Sequence, residues 1–298
     1  MNAQTGPGTV GGPLLGVVFD PGRGAIRQLT GIPASAMLGD ALDSGALLKQ
    51  ASVAAAGFAV GIESASGAAV LVSSAGRHPL FGVPDGASSI ALSPQGTAAA
   101  IYFKDSFTAY VVTGLPDTPT APRQVALDRH PTALAISDDG AALLSLERIG
   151  RAGATVLLHR DGASPAVLRS SSQIASADFI PGSSDALIAE DDAVYLVSEA
   201  FGPQVIASAD DGIAGVTVAS SSADGSRVII AMRSGQIAVR DRKTNAQTTV
   251  SCACQPAGLA RLRGSGVFRL NEIASGPLWI LDADSGDPRV LFVAGARQ

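Results

Sequence analysis

A short turn of Ser, Asp and Gly, set between two apolar alternating runs, comes back along this chain about every forty positions. Ile90-Ala91-Leu92 leads into Ser93-Pro94-Gln95-Gly96 and then into a second apolar run over residues 98–103. Leu134-Ala135-Ile136 leads into Ser137-Asp138-Asp139-Gly140 and the run 141–146. Weaker copies are Ala177-Asp178-Phe179-Ile180-Pro181-Gly182-Ser183 and the stretch that closes in Ser222-Ala223-Asp224-Gly225; degenerate ones surround Gly57 and Gly264. With the turn as marker, the copies stand at 57, 96, 140, 183, 225 and 264, spaced by 39, 44, 43, 42 and 39 residues. Four-stranded propeller blades recur at roughly 40–45 residues. Apolar alternation with period two places the flanking runs in strands, because successive strand side chains point to opposite faces.

A second β-rich pair lies between the markers. Examples are Gln236-Ile237-Ala238-Val239-Arg240-Asp241 with Thr248-Thr249-Val250, and Pro277-Leu278-Trp279-Ile280-Leu281-Asp282 with Arg289-Val290-Leu291-Phe292-Val293. Another is Leu15-Gly16-Val17-Val18-Phe19-Asp20, the turn Pro21-Gly22-Arg23-Gly24 and residues 25–30. Two hairpins per repeat make a blade, and a blade hides both faces only by stacking on neighbours around an axis. Seven outer hairpins but six inner ones can be counted. The expected fold is therefore an all-β propeller of four-stranded antiparallel blades, with seven blades favoured, the first irregular, and six as the alternative. Residues 31–45 are long enough to supply a missing strand. The expected organisation is a flexible segment over 1–13 and one propeller domain over 14–298.

Composition narrows the partners. Mean hydropathy is positive at +0.29, yet the apolar, uncharged stretch over residues 86–103 is broken by Ser93-Pro94-Gln95-Gly96. A spanning helix needs about 20 continuous apolar residues, so no membrane span is expected. The net charge is -5, with no basic run, which argues against nucleic acid. The first residues carry neither a charged start nor an apolar core, so no signal peptide is read in this chain.

The turns Ser93-Pro94-Gln95-Gly96 and Ser137-Asp138-Asp139-Gly140, with Trp279-Ile280-Leu281-Asp282 followed by Ser285-Gly286, resemble the YVTN and WD-like repeats of bacterial propellers. The likeness runs from Leu14 onward. The chain departs from the eukaryotic WD pattern in having one Trp and no Trp-Asp dipeptide. The resemblance implies an uncharacterised secreted or envelope propeller, periplasmic or extracellular, that binds or scaffolds.

Signatures of chemistry are sparse. There is no Gly-x-Ser-x-Gly elbow, phosphate loop, His-Glu-x-x-His or dinucleotide fingerprint. The three histidines, His78, His130 and His159, read as loop or surface residues. Cys252 and Cys254 stand in Cys-Ala-Cys and are either reduced, joined in a local disulfide, or redox- or metal-active; two thiols do not complete a zinc site. In an extended strand their Cα atoms would be about 6–7 Å apart, so a bridge needs a bent backbone. Asp282, Asp284 and Asp287 have oxygen ligands at calcium-like spacing, although Asp and Gly are also what a turn prefers. Glu190-Asp191-Asp192 reads as a solvated turn, and Trp279 as packing between blades. Arg261, Arg263 and Arg269 are candidates for an anion-attracting mouth of the central channel.

The leading expectation is a non-catalytic, monomeric propeller that holds a protein partner or small ligand at one face. One alternative is a metal-dependent lactonase- or hydrolase-type propeller enzyme. Another is a structural component of an envelope assembly. No catalytic residue or organic cofactor is assigned; calcium is the one cofactor considered.

Overall fold

The computed structural model describes residues 12–42, 45–150, 153–273 and 276–293. The segment expected to be flexible, 1–13, falls almost wholly outside them. The first blade holds β1 (Leu14–Asp20), β2 (Ala25–Thr30) and β3 (Met37–Ala41). The second holds β4 (Leu48–Ala54), β5 (Phe58–Glu63), β6 (Ala69–Ser73) and β7 (Gly76–Pro79). The third holds β8 (Ser89–Leu92), β9 (Ala98–Phe103), β10 (Thr108–Thr113) and β11 (Arg123–Ala126). The fourth holds β12 (Pro131–Ile136), β13 (Ala142–Ile149), β14 (Gly153–Arg160) and β15 (Ala166–Ser171). The fifth holds β16 (Ile174–Phe179), β17 (Ala186–Glu190), β18 (Ala193–Ser198) and β19 (Gly202–Ser208). The sixth holds β20 (Val216–Ser221), β21 (Arg227–Met232), β22 (Gln236–Asp241) and β23 (Gln247–Ser251). The seventh holds β24 (Ala260–Arg261), β25 (Val267–Arg269), β26 (Leu278–Asp282) and β27 (Arg289–Val293). Each blade is an antiparallel meander of consecutive strands. Two short 3-10 turns, Pro33–Ser35 and Ala209–Asp211, interrupt the strands, and among the described residues no helix is long and apolar enough to cross a membrane.

The core is seven cores, each lying between two blades. Alternate residues of one strand face opposite neighbours, as the two-residue period requires. On β9, Ala99, Ile101 and Phe103 pack toward the second blade, while Ala98, Ala100 and Tyr102 pack toward the fourth. Leu15, Val18 and Leu29 of the first blade share a core with Leu262, Leu278 and Ile280 of the seventh. That contact closes the ring. Seven blades are therefore present, the first irregular with three described strands.

The marker turns are the β4–β5, β8–β9, β12–β13, β16–β17, β20–β21 and β24–β25 connections, and their chemistry explains the repeat. The Ser137 hydroxyl accepts the Ala142 amide at 2.9 Å and donates to Asp139 at 2.6 Å. Ser93 accepts from Ala98, and Ser222 from Arg227, in the same way. Gly140 has φ +70°, and a Cβ there would stand 2.3 Å from Thr113 Cγ2 of the preceding blade. Glycine is needed for both reasons. The Asp138 carboxylate accepts the Gln95 and Gly182 amides at 2.7 Å each, tying the turns of the third, fourth and fifth blades.

Residues 31–45 do supply a strand, but it is β3 at the outer edge. β1 is almost wholly buried, as the second strands β5, β9, β17 and β21 are, so it holds the second position of its blade. The first blade thus has no inner strand among the described residues. Its joint is made by Arg263, whose backbone N–H donates to Leu15 O at 2.8 Å and whose guanidinium reaches Ala56 O at 3.1 Å.

Candidate functional site

The axial tunnel is the first place a propeller offers for a ligand. Here it is small, about 270 Å³, and ringed mostly by apolar and small side chains, including Ile90, Leu92, Leu134 and Leu259. Arg261 is not among its lining residues; it reaches the tunnel only through Asp178, which is. Its guanidinium is paired with Asp178 at 3.3 Å and donates to Ser221 O at 3.0 Å, and Ser220 also donates to Asp178. Arg263 lies at the ring joint. Arg269 is buried, with a two-pronged hydrogen bond to Glu272 at 2.8 and 2.9 Å. The three arginines therefore sit in three different environments.

The aspartates of the last hairpin also face apart. Asp282 is buried and accepts Arg289 at 3.0 and 3.1 Å. Asp284 accepts the Ser265 and Gly266 amides at 2.9 and 2.6 Å. Asp287 offers its backbone carbonyl to Ser285. Among the described residues, no three His, Cys, Asp or Glu side chains come together as a metal set. Cys252 and Cys254 are joined in a disulfide with Cα atoms 5.0 Å apart, on a bent stretch just after β23. Trp279 packs between the sixth and seventh blades.

Two readings need correction. Glu190 is not part of a solvated turn: it is 6% exposed and holds Arg169 with both oxygens, at 2.7 and 3.1 Å. Arg169 also lies 3.7 Å above the Tyr195 ring. The pair of charged groups that lets Glu190 be buried comes from another blade and is invisible in sequence. His159 is not a surface residue: it is buried opposite Leu143 in the β13–β14 ladder, facing the third blade. Its Nε2 lies 2.8 Å from the Ser145 hydroxyl, which donates to Glu147. His130 bonds the Tyr102 hydroxyl and stacks on Phe107. Burial, then the Glu147 carboxylate, push the Tyr102 phenol up.

Burial also holds the His159 imidazole below its ordinary 6.5, against a smaller opposing pull from Asp128. The unfolded chain then binds a proton more readily than the folded one. The contribution of neutral His159 is complete above pH 6.5 and is lost as pH falls through that value toward the folded one. His159→Gln, which keeps a partner for Ser145, should flatten the fall in Tm between pH 7 and pH 5. Identical slopes for variant and parent would refute this.

A cavity of about 1000 Å³ is a half-open groove between the second and third blades. It arises where two neighbouring outer connections differ in length. The β6–β7 turn is two residues, 74–75, whereas the neighbouring β10–β11 loop runs over 114–122. That loop is folded on itself by Thr118 N–H to Gly114 O at 2.8 Å and Thr120 N–H to Thr113 O at 2.9 Å. Its floor is the buried set Phe58, Leu71, Leu80 and Val112. Pro79, Pro116, Pro119 and Pro122 stand in its walls. Proline rings lock φ, so these walls are preorganised. A Cβ at Gly82 would stand 2.9 Å from Pro122 Cδ, so the two walls meet there. On the rim are His78, Asp117 and Phe81, the last 82% exposed. The proline run was visible in the sequence. Nothing in the sequence showed that Phe81 and Pro79 would face it.

No family model and no curated protein matches this chain. Solved structures do share its fold. A Kuenenia stuttgartiensis hydrazine synthase chain is 14% identical with a TM-score of 0.54, over 99% of this chain and 100% of that one. Virginiamycin B lyase from Staphylococcus aureus is 10% identical with a TM-score of 0.57, over 83% and 84%. A functionally unknown protein from Desulfotomaculum acetoxidans is 12% identical with a TM-score of 0.60, over 95% and 100%. At such identities the likeness is one of fold, and the same fold hosts unrelated functions. What these similarities support is the propeller fold; the seven blades are those of the structure itself.

Proposed function

We propose that this protein is a non-catalytic ligand-binding propeller whose binding site is the groove between the second and third blades. The observation that carries this reading is the preformed apolar cavity of about 1000 Å³ at the one place where a long proline-walled loop departs from the repeat. Ligand sites are concave, mostly apolar and carry few polar groups, and insertions in a repeat protein gather at its binding face. The tunnel is a poorer host, being smaller and having its lining Asp178 already paired with Arg261.

Fluorescence titration with naphthylethanol, a neutral apolar probe, tests it. Saturable one-to-one binding is expected, with Kd on the order of 100 μM for so small a ligand. Ala121 is exposed and lines the groove, so Ala121→Trp should fill the space without touching the core. Binding should weaken at least tenfold while Tm is kept. No saturable binding, or equal binding by the variant, would overturn the assignment.

A further inference from the structure

The groove carries an asymmetry of charge. Its rim holds one carboxylate, Asp117, which pairs with no cation among the described residues, and no Lys or Arg lines the cavity. Basic side chains around the groove are engaged elsewhere: Arg77 on Glu63 and Ala46 O, Arg123 on Asp161 and Gly140 O, and Arg263 on Ala56 O. Phe81 presents an almost fully exposed aromatic ring on the same rim. An aromatic face attracts a cation through its quadrupole. The chain as a whole is acidic, at -5, so its field draws cations toward the surface.

Resting on the groove being the binding site, we propose that its ligand is a lipophilic amine: an apolar, ring-containing body on the Phe58–Leu71–Leu80–Val112 floor and one ammonium group at the Asp117–Phe81 rim. A small molecule is favoured over a polypeptide because the walls meet at Gly82 and Pro122 and close one end. The volume also lies at the upper limit of small-ligand pockets, about 300–1,000 Å³. An anionic ligand would meet the Asp117 carboxylate in a groove whose lining holds no Lys or Arg.

The test compares naphthylethylamine, naphthylethanol and naphthylacetate at pH 8 in low and high salt, using the parent protein, Asp117→Asn and Phe81→Leu. The amine should bind about three- to fivefold tighter than the alcohol at low salt, the range of an exposed charge pair. The gap should close in 0.5 M salt, where the Debye length shrinks to about 4 Å. The acetate should bind weakest. Asp117→Asn should remove most of the amine preference and leave the alcohol unchanged, and Phe81→Leu should remove the smaller remainder. Equal affinities for amine and alcohol, or a preference undiminished by Asp117→Asn, would overturn the amine assignment while leaving the groove as a binding site. Failure of all three probes to bind would overturn the groove reading and this inference with it.

Discussion

Replacing Asp20 by Ala should lower the unfolding free energy by about 3–5 kcal/mol, the cost of breaking a buried ion pair by removing one partner. Asp20 stands at the end of β1 and is 7% exposed; Arg27 on β2 is 6% exposed. The two meet at 3.2 Å, and Arg27 Nε donates to Gly39 O of β3 at 2.9 Å. One guanidinium therefore ties all three strands of the blade that lacks an inner strand among the described residues. Without Asp20 the buried cation keeps only carbonyl company. The double change Asp20→Leu with Arg27→Met should recover much of the loss, because well-packed apolar pairs replace buried ion pairs at little cost. Denaturant unfolding of the three proteins checks both statements. A loss below about 1 kcal/mol for Asp20→Ala would mean that the pair is solvated, as surface pairs are.

Phe179→Ala should cost about 3–5 kcal/mol for a different reason, the cavity left by a large buried side chain. Phe179 has no exposed surface and fills the core between the fourth and fifth blades with Leu144, Val156 and Ile188. Propeller blades touch only their neighbours, so the void cannot be closed by a shift of a distant element. The denaturant midpoint should fall with little change in slope, since the surface exposed on unfolding is nearly the same. Phe81→Ala provides the contrast. It removes a ring of the same size that is 82% exposed, and stability should stay within about 0.5 kcal/mol. A similar loss for both would contradict the interblade core.

Much of the candidate site was out of reach of the sequence, and the cause is visible residue by residue. His159 and Glu190 were read by the company they keep along the chain, which is polar. In the fold they are buried because Ser145 and Arg169, 14 and 21 residues away, supply their partners. The groove needed two loops of different blades to differ in length side by side. Phe81 and Pro116 become neighbours of one cavity only when the second and third blades stack.

The amino-acid order alone pointed to the strands, to seven outer hairpins and to an irregular first blade, and left six blades as the alternative. Those follow from local rules: period-two alternation, a serine that caps its own turn and a glycine in the left-handed region. Tertiary structure alone decided that β3 joins the first blade from outside, that Arg263 bridges the joint, and which polar groups are buried. It also decided where a cavity opens. The physical reason is that alternation fixes which face a residue takes, but not what the neighbouring blade presents to it.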